Sequence, residues 1–128
     1  MKNRIYNAGN PYQGDAKRVL CVCSAGLLRS PTAAIVLQRE YGYNTRAAGV
    51  DTGHALIPVD EVLLSWAQEI VCMDGEQARR IDEMCYIYDI PKQYDTYVLN
   101  IPDRYPYMDK ELQELISKHY DDIQIYKQ

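Results

Sequence analysis

Two spacings of apolar residues alternate along the chain, and they predict strands that alternate with helices. Short runs of β-favouring residues predict strands over residues 18–23, 44–49, 69–73 and 96–100. Between these runs, apolar residues recur every three or four positions, as on a helix that buries one face. Helices are therefore predicted over residues 30–41, from 58, from 74 and after 109.

Particular residues mark the predicted helix starts and buried faces. Asp74 and Gln77 form a capping-box pattern, and Asp109 suits the N-cap of the last helix. Pro58 suits the first turn of the second helix. The buried stripe of that helix is predicted to consist of Val59, Val62, Leu63 and Trp66.

Strands that alternate with helices form βαβ units, which build a parallel sheet covered by helices. We predict a three-layer α/β fold in which four parallel strands take the order 2-1-3-4. Strand one then lies centrally, beside the point where the winding reverses, and ligands bind beyond the carboxyl ends of strands at such a point. Residues 18–128 are predicted to form a single domain. Residues 1–17 are polar and contain glycine and proline, which predicts an irregular arm.

The stretch 18–33 joins a buried strand, a cysteine and a helix start. Cys23 ends the strand, and Arg29 follows six residues later. Backbone N–H groups in a strand-to-helix loop have no intrahelical partner, and the helix dipole adds positive potential. A phosphate-like anion can accept hydrogen bonds from these N–H groups and is stabilised by the positive potential. Arg29 can bind two oxygens of such an anion. The same positive field favours the thiolate form of Cys23. The plainer alternative is a buried strand cysteine with an unrelated surface arginine.

The residues after Arg29 favour the anion-binding interpretation. Ser30 is predicted to be the N-cap, with Pro31 at the first helical position. The Ser30 hydroxyl can also reach the sulfur of Cys23.

This stretch resembles the phosphate-binding loop of the low-molecular-weight protein tyrosine phosphatases, which share their fold with thioredoxin-coupled arsenate reductases. The resemblance implies that Cys23 is the nucleophile, that Arg29 clamps phosphate and that Ser30 supports the leaving thiolate. It also implies that substrate is contacted by the loop residues Ser24, Ala25, Gly26, Leu27 and Leu28.

The chain departs from this family at two linked positions. The family places a left-handed asparagine three residues after the nucleophile, bonded to a serine on strand two; this chain has Gly26 and Ala47 there. Glycine adopts the left-handed conformation without a steric cost, so the loop shape should survive. Because the side-chain bond is absent, we predict a less stiff phosphate loop.

A cysteine phosphatase also needs an acid for the leaving oxygen and then a base for water. The family takes this residue from the loop after strand four, which makes Asp103 our choice. Tyr105 and Tyr107 are predicted to be walls that stack on a substrate ring. Since the order here is Pro-Asp where the family usually has Asp-Pro, Asp109 stays open as the alternative, and helix capping also explains Asp109. The family often has a supporting histidine near the position of His54, but a surface position is favoured for His54 here.

The composition of the chain restricts the kinds of binding partner that we expect. The 14 basic and 18 acidic residues form no basic block, which argues against nucleic acid. No apolar run reaches membrane-spanning length and no signal-peptide pattern follows Met1, so we expect no membrane partner and a cytoplasmic location. The four cysteines lack metal-like spacing, so we expect no metal and no cofactor. The oligomeric state is left open.

The sequence is compatible with three functions. The first is a phosphatase whose partner is a phosphorylated protein, with phosphotyrosine favoured, or a small phosphomonoester or phosphoarginine. The second is an arsenate reductase, which needs two resolving cysteines; Cys72 and Cys85 are available, but in a strand and on an inward helix face. Cys21 is expected in the core, on the opposite strand face from Cys23. The third is a non-catalytic module that binds phosphate or phosphotyrosine.

Overall fold

The computed structural model describes residues 15–25, 28–51, 53, 55–91 and 94–127. Over these residues, strands and helices alternate as the sequence predicts. The strands are β1 (Arg18–Cys23), β2 (Asn44–Gly49), β3 (Glu69–Cys72) and β4 (Asp95–Val98). The helices are α1 (Arg29–Tyr41), α2 (Glu61–Trp66), α3 (Gly75–Ile87) and α4 (Lys110–Lys127).

The four strands form one parallel sheet in the order β2-β1-β3-β4, which confirms the predicted fold class. β1 is therefore central, and its two neighbours are reached by crossovers in opposite directions. β4 ends earlier than the predicted residue 100. Asn100 has a φ of 57°, in the left-handed region, and such a residue cannot continue a strand.

The sheet separates two apolar cores. On one face, Val19, Cys21 and Cys23 of β1 pack with residues of α1 and α4. On the other face, Leu20 and Val22 pack with residues of α2 and α3. Cys21 is fully buried, as expected, but the prediction that it faces away from Cys23 is wrong. Residues two apart on a strand point to the same side.

The start of α1 differs from the prediction. The helix begins at Arg29 with Leu28 as its N-cap, and no side chain caps it. The prediction of Ser30 as N-cap is wrong, because Ser30 lies within the first turn. Its hydroxyl points into the protein, 3.3 Å from the backbone oxygen of Ala48.

The start of α2 also differs, for a reason outside the helix. Pro58 pairs with Gly49 in an isolated bridge, so the helix starts later, with the Asp60 side chain accepting a hydrogen bond from the N–H of Leu63. This shift rotates the buried stripe. Val62 is 52% exposed, contrary to prediction, and Leu64 is buried in its place.

The two other helix starts follow the sequence pattern. Asp74 and Gln77 form a complete capping box at the start of α3, which confirms that prediction. At the start of α4, the Asp109 carboxylate accepts a hydrogen bond from the Leu112 N–H at 3.2 Å, so Asp109 caps the helix.

Only part of the predicted N-terminal arm lies within the described residues. Residues 1–14 lie outside the described residues, but Lys17 already belongs to the sheet edge, since its backbone oxygen accepts a hydrogen bond from Asn44 at 2.9 Å. The division of the chain at residue 18 stays a prediction. Among the described helices, none combines the length and the apolar character needed to cross a membrane.

Candidate active site

A small cavity lies at the carboxyl end of β1, where the fold predicts a ligand site. Its volume is about 180 Å³. The chain reaches the cavity from β1 and continues into α1, so these two elements position its lining residues. The cavity is lined by Cys23, Ser24, Ala25, Leu28, Arg29 and Asp103.

Cys23 forms the floor of this cavity and is 3% exposed. Its sulfur lies 3.1 Å from the Ser30 hydroxyl oxygen, as the sequence predicts. That hydroxyl also lies 3.3 Å from the backbone oxygen of Ala48. A hydroxyl has one proton, so it can donate either to the Ala48 carbonyl or to a Cys23 thiolate. Ser30 is thus placed to donate to the sulfur whenever the sulfur carries negative charge.

Arg29 is also buried, at 3% exposed, although it carries a charge. Its Nη1 donates to the backbone oxygen of Ile101 at 2.8 Å and lies 3.7 Å from the carboxylate of Asp74. Its Nε lies 3.5 Å from the carboxylate of Asp103. Buried charges need partners of this kind. The partners come from α3 and from the loop after β4, and they hold the planar guanidinium against the cavity.

The two candidate acids occupy different surroundings. Asp103 is 65% exposed, lines the cavity and pairs with Arg29. Asp109 is bound to the first turn of α4 by its capping hydrogen bond. The structure therefore brings Asp103, and not Asp109, to Cys23 and Arg29.

The loop that carries Asp103 is fastened at both ends to the start of α1. At one end, Arg29 donates to Ile101. At the other, the N–H of Met108 donates to the Thr32 hydroxyl at 2.9 Å, and that hydroxyl donates to the Leu28 backbone oxygen at 2.7 Å. Met108 has a φ of 59°, an unfavourable conformation for its side chain, which this contact helps to hold. Sequence reasoning missed Thr32, because its partners are distant in the chain.

The predicted tyrosine walls are not both present. Tyr105 is 5% exposed and packs in the core between the sheet, α1 and α4, so its assignment as a wall is wrong. Its ring belongs to this apolar core because burial there removes a large apolar surface from water. Tyr107 is 52% exposed, and its role stays a prediction.

Three predicted loop or neighbouring residues lie outside the described residues, namely Gly26, Leu27 and His54. The predicted left-handed conformation at Gly26 therefore stays a prediction. Ala47 lies on β2 beside Cys21, buried and without a hydroxyl, as the sequence requires.

Cys72 and Cys85 are poorly placed to act with Cys23. Cys72 and Cys85 belong to the core on the opposite face of the sheet. Burial, followed by the charges of Asp74 and Asp82, raises the pKa of Cys72 to about 12. The sulfur of Cys85 lies 2.6 Å from the hydroxyl of Tyr94. Over the described part of the chain, no group of three His, Cys, Asp or Glu side chains could hold a metal ion.

Comparison with solved structures identifies the fold. The tyrosine phosphatase Wzb from Escherichia coli, in complex with phosphate, is 15% identical with a TM-score of 0.65; the alignment covers 84% of this chain and 96% of that chain. A low-molecular-weight phosphotyrosine phosphatase from Vibrio cholerae is 22% identical with a TM-score of 0.61, covering 84% and 97%. The YwlE arginine phosphatase from Geobacillus stearothermophilus is 19% identical with a TM-score of 0.56, covering 87% and 95%.

The chain therefore has the fold of the low-molecular-weight protein tyrosine phosphatases, and the resemblance stated from the sequence is confirmed at the level of the fold. No protein-family model and no curated protein matches the sequence.

Proposed function

We propose that the chain is a cysteine-dependent phosphatase that hydrolyses phosphate monoesters, with phosphotyrosine as the favoured substrate class. One observation carries the proposal: a buried cysteine, a buried arginine and an exposed aspartate line one cavity of about 180 Å³. The size suits a phosphoryl group and the start of its leaving group. The fold shared with tyrosine phosphatases supports the same class of reaction.

In the first step, the Cys23 thiolate attacks phosphorus while Arg29 holds the non-bridging oxygens. The bond between phosphorus and the leaving oxygen breaks, and protonated Asp103 gives its proton to that oxygen. The products are a phosphocysteine and the free phenol or alcohol. Asp103 suits this role by its position, since it lies beside Arg29 at the exposed rim of the cavity.

In the second step, a water molecule attacks the phosphocysteine. The Asp103 carboxylate takes a proton from this water, the oxygen bonds to phosphorus and the phosphorus–sulfur bond breaks. The sulfur leaves as a thiolate. Ser30, whose oxygen lies 3.1 Å from it, turns its proton from the Ala48 carbonyl to the sulfur.

The set of residues that contacts an aromatic leaving group at the cavity differs from the two tyrosines that were predicted as walls. Because Tyr105 is buried, the apolar contact comes from Leu28, which is 41% exposed and lines the cavity. We propose Tyr107, which is 52% exposed on the loop that carries Asp103, as a second contact. YwlE is described as an arginine phosphatase, which makes phosphoarginine the substrate to compare. A cytoplasmic location stays a prediction.

A panel of substrates tests the proposal. We expect the wild-type chain to hydrolyse p-nitrophenyl phosphate and a phosphotyrosine peptide faster than a phosphoserine peptide or phosphoarginine. Release of inorganic phosphate measures each rate. Binding of phosphate without any turnover would instead establish a binding module. Arsenate-dependent oxidation of reduced thioredoxin would establish a reductase, which the burial of Cys72 and Cys85 disfavours.

The role of Asp103 is tested by Asp103→Asn. We expect kcat for a phosphotyrosine peptide to fall by about 10²–10³-fold, because the leaving oxygen and the attacking water both lose their proton-transfer partner. The loss should be smaller for p-nitrophenyl phosphate, whose leaving group needs less protonation. Steady-state kinetics on both substrates measures the difference.

Asp109→Asn is the matched control for this variant. Asparagine also caps helices well, so the fold should persist and kcat should stay near the wild-type value. A large loss of kcat in Asp109→Asn together with an unaffected Asp103→Asn would assign the acid to Asp109.

The fastening of the Asp103 loop is tested by Thr32→Val, which keeps the side-chain shape and removes the hydroxyl. The Met108 N–H and the Leu28 carbonyl then lose a partner, so the free energy of unfolding should fall by about 2 kcal/mol. The value of kcat should also fall, by about tenfold, since Asp103 is less well positioned. Urea unfolding and steady-state kinetics measure the two effects.

Thr45→Val provides a matched control for this loss of a buried hydroxyl. Thr45 is 6% exposed, and its hydroxyl donates to the Ala34 backbone oxygen at 2.9 Å. Its free energy of unfolding should fall by about 1 kcal/mol while kcat is unchanged. Equal effects of the two variants on kcat would contradict a specific role for Thr32.

A further inference from the structure

The side chain of Gln77 lies where β3, α3 and the residue after the nucleophile meet. It is completely buried. Its Oε1 accepts hydrogen bonds from the backbone N–H groups of Met73 at 2.7 Å and Asp74 at 3.0 Å. These two contacts complete the start of α3.

The amide nitrogen of Gln77 makes two further contacts. It donates to the Ser24 hydroxyl at 3.4 Å and to the Asp74 carboxylate at 3.3 Å. A side-chain amide has two donors and two acceptor positions, so every one of them is used. A capping box requires only the acceptor, which glutamate supplies equally well. The donor contacts are therefore additional to helix capping, and one of them reaches the phosphate loop at Ser24.

Ser24 is the first loop residue after Cys23 and is held from two sides. Its backbone oxygen accepts a hydrogen bond from the Asp51 N–H at 2.8 Å, and its hydroxyl accepts from Gln77. Asp74, the second acceptor of the Gln77 amide, lies 3.7 Å from Nη1 of Arg29. One buried side chain thus contacts the start of the loop and the partner of its arginine.

We propose that Gln77 is a positioning residue that ties the phosphate loop to α3 through Ser24. This inference rests on the proposed function for its kinetic consequences. Ala47 on β2 has no side chain that could bond to the loop, so the tie from α3 holds the loop from the opposite side. Fully satisfied buried networks restrict the motion of the groups they join. Ser24 is then held in place before the anion arrives, and less ordering accompanies binding.

Ser24→Ala removes this tie without changing the core, because Ser24 is exposed. We expect KM for p-nitrophenyl phosphate and the inhibition constant of inorganic phosphate to rise about five- to tenfold, the value of one hydrogen bond. Ser24→Thr keeps the hydroxyl and should therefore raise both constants less than Ser24→Ala does. Melting temperatures of both variants should stay near that of the wild type.

A second pair of variants distinguishes the loss of the hydrogen bond between Gln77 and Ser24 from a general loss of stability. Ser117→Ala removes a hydroxyl that donates to Glu40 at 2.6 Å, far from the cavity, and should change neither constant. Gln77→Met removes the amide in a side chain of similar size. In that background, Ser24→Ala should have no further effect on phosphate affinity, because the two residues act through one contact.

The outcomes for the tie and for the phosphatase can be distinguished. If the wild type binds inorganic phosphate in calorimetry but hydrolyses nothing, the phosphatase fails, and the same variants still test the tie by their phosphate affinity. Wild-type affinity in Ser24→Ala, or effects of Ser24→Ala and Gln77→Met that simply add, would overturn the proposal. A wild type that does not bind phosphate at all would overturn both.

Discussion

Cys23→Ser is expected to lose turnover of an aryl phosphate by at least about 10⁴-fold, the scale of removing a catalytic nucleophile. A serine hydroxyl is a weak nucleophile without an adjacent base, whereas a thiolate attacks phosphorus directly. The replacement is nearly isosteric, and Cys23 is 3% exposed, so the fold should persist. Initial rates measure the loss, and calorimetry with inorganic phosphate should show that the anion still binds.

Cys85→Ser is the matched control for the loss of a buried sulfur. The serine hydroxyl can retain the contact with Tyr94, which the sulfur makes at 2.6 Å. This variant should keep wild-type kcat, because Cys85 packs in the core on the other face of the sheet. The same variant tests the reductase alternative when arsenate reduction is assayed, since replacing a resolving cysteine would abolish that activity. Turnover that survives Cys23→Ser would contradict the mechanism.

Arg29→Lys is expected to lower kcat/KM by about 10²–10³-fold, the loss seen when one donor to a developing anion is removed. Lysine keeps the positive charge but lacks the planar fork that binds two oxygens at once. It also cannot keep the 2.8 Å contact with Ile101 and the contact with Asp103 in the same geometry. Both KM and kcat should therefore worsen. Steady-state kinetics and phosphate calorimetry measure the two parts.

Arg39→Lys provides the matched control, because Arg39 is a partly exposed side chain on the same helix, bonded to Gln113 at 3.1 Å. Its kinetic constants should equal those of the wild type. An Arg29→Lys variant with wild-type phosphate affinity would show that the guanidinium does not clamp the anion.

The parallel sheet could be predicted from the sequence because local patterns indicate both the strands and the helices between them. Each strand is a short run, each crossover is a helix, and crossovers of this kind impose a parallel sheet. The errors occurred where a distant contact or an unusual backbone conformation decides the boundary. α2 starts late because Pro58 pairs with Gly49. β4 ends early because Asn100 takes a left-handed conformation.

The candidate site could be predicted to the extent that its residues are close in sequence. Cys23, Arg29 and Ser30 lie within one short stretch, and the structure brings them to one place. Asp103 is far away in the chain, and the resemblance to the phosphatases was needed to select it. The structure places it at the same cavity, while its role stays a prediction.

Residues that act by tertiary contacts were missed or misassigned. The sequence indicated no special role for Thr32 and only a capping-box role for Gln77. Their contacts with Met108 and Ser24 depend on the packing of separate elements. One signal for Gln77 was available. Its capping box begins directly after β3, whose carboxyl end lies at the same sheet edge as Cys23. Tyr105 was misassigned because an exposed loop can still turn one aromatic ring into the core.

A phosphoryl group on Cys23 is the most direct test of the central claim. Asp103→Asn should accumulate this intermediate from p-nitrophenyl phosphate, because the good leaving group departs without an acid while attack by water lacks its base. Acid quenching followed by peptide mass spectrometry locates the group. We predict phosphorylation of the peptide that contains Cys23, and none in the Cys23→Ser variant. Hydrolysis with no phosphoryl group on Cys23, or with the group on another residue, would contradict the account.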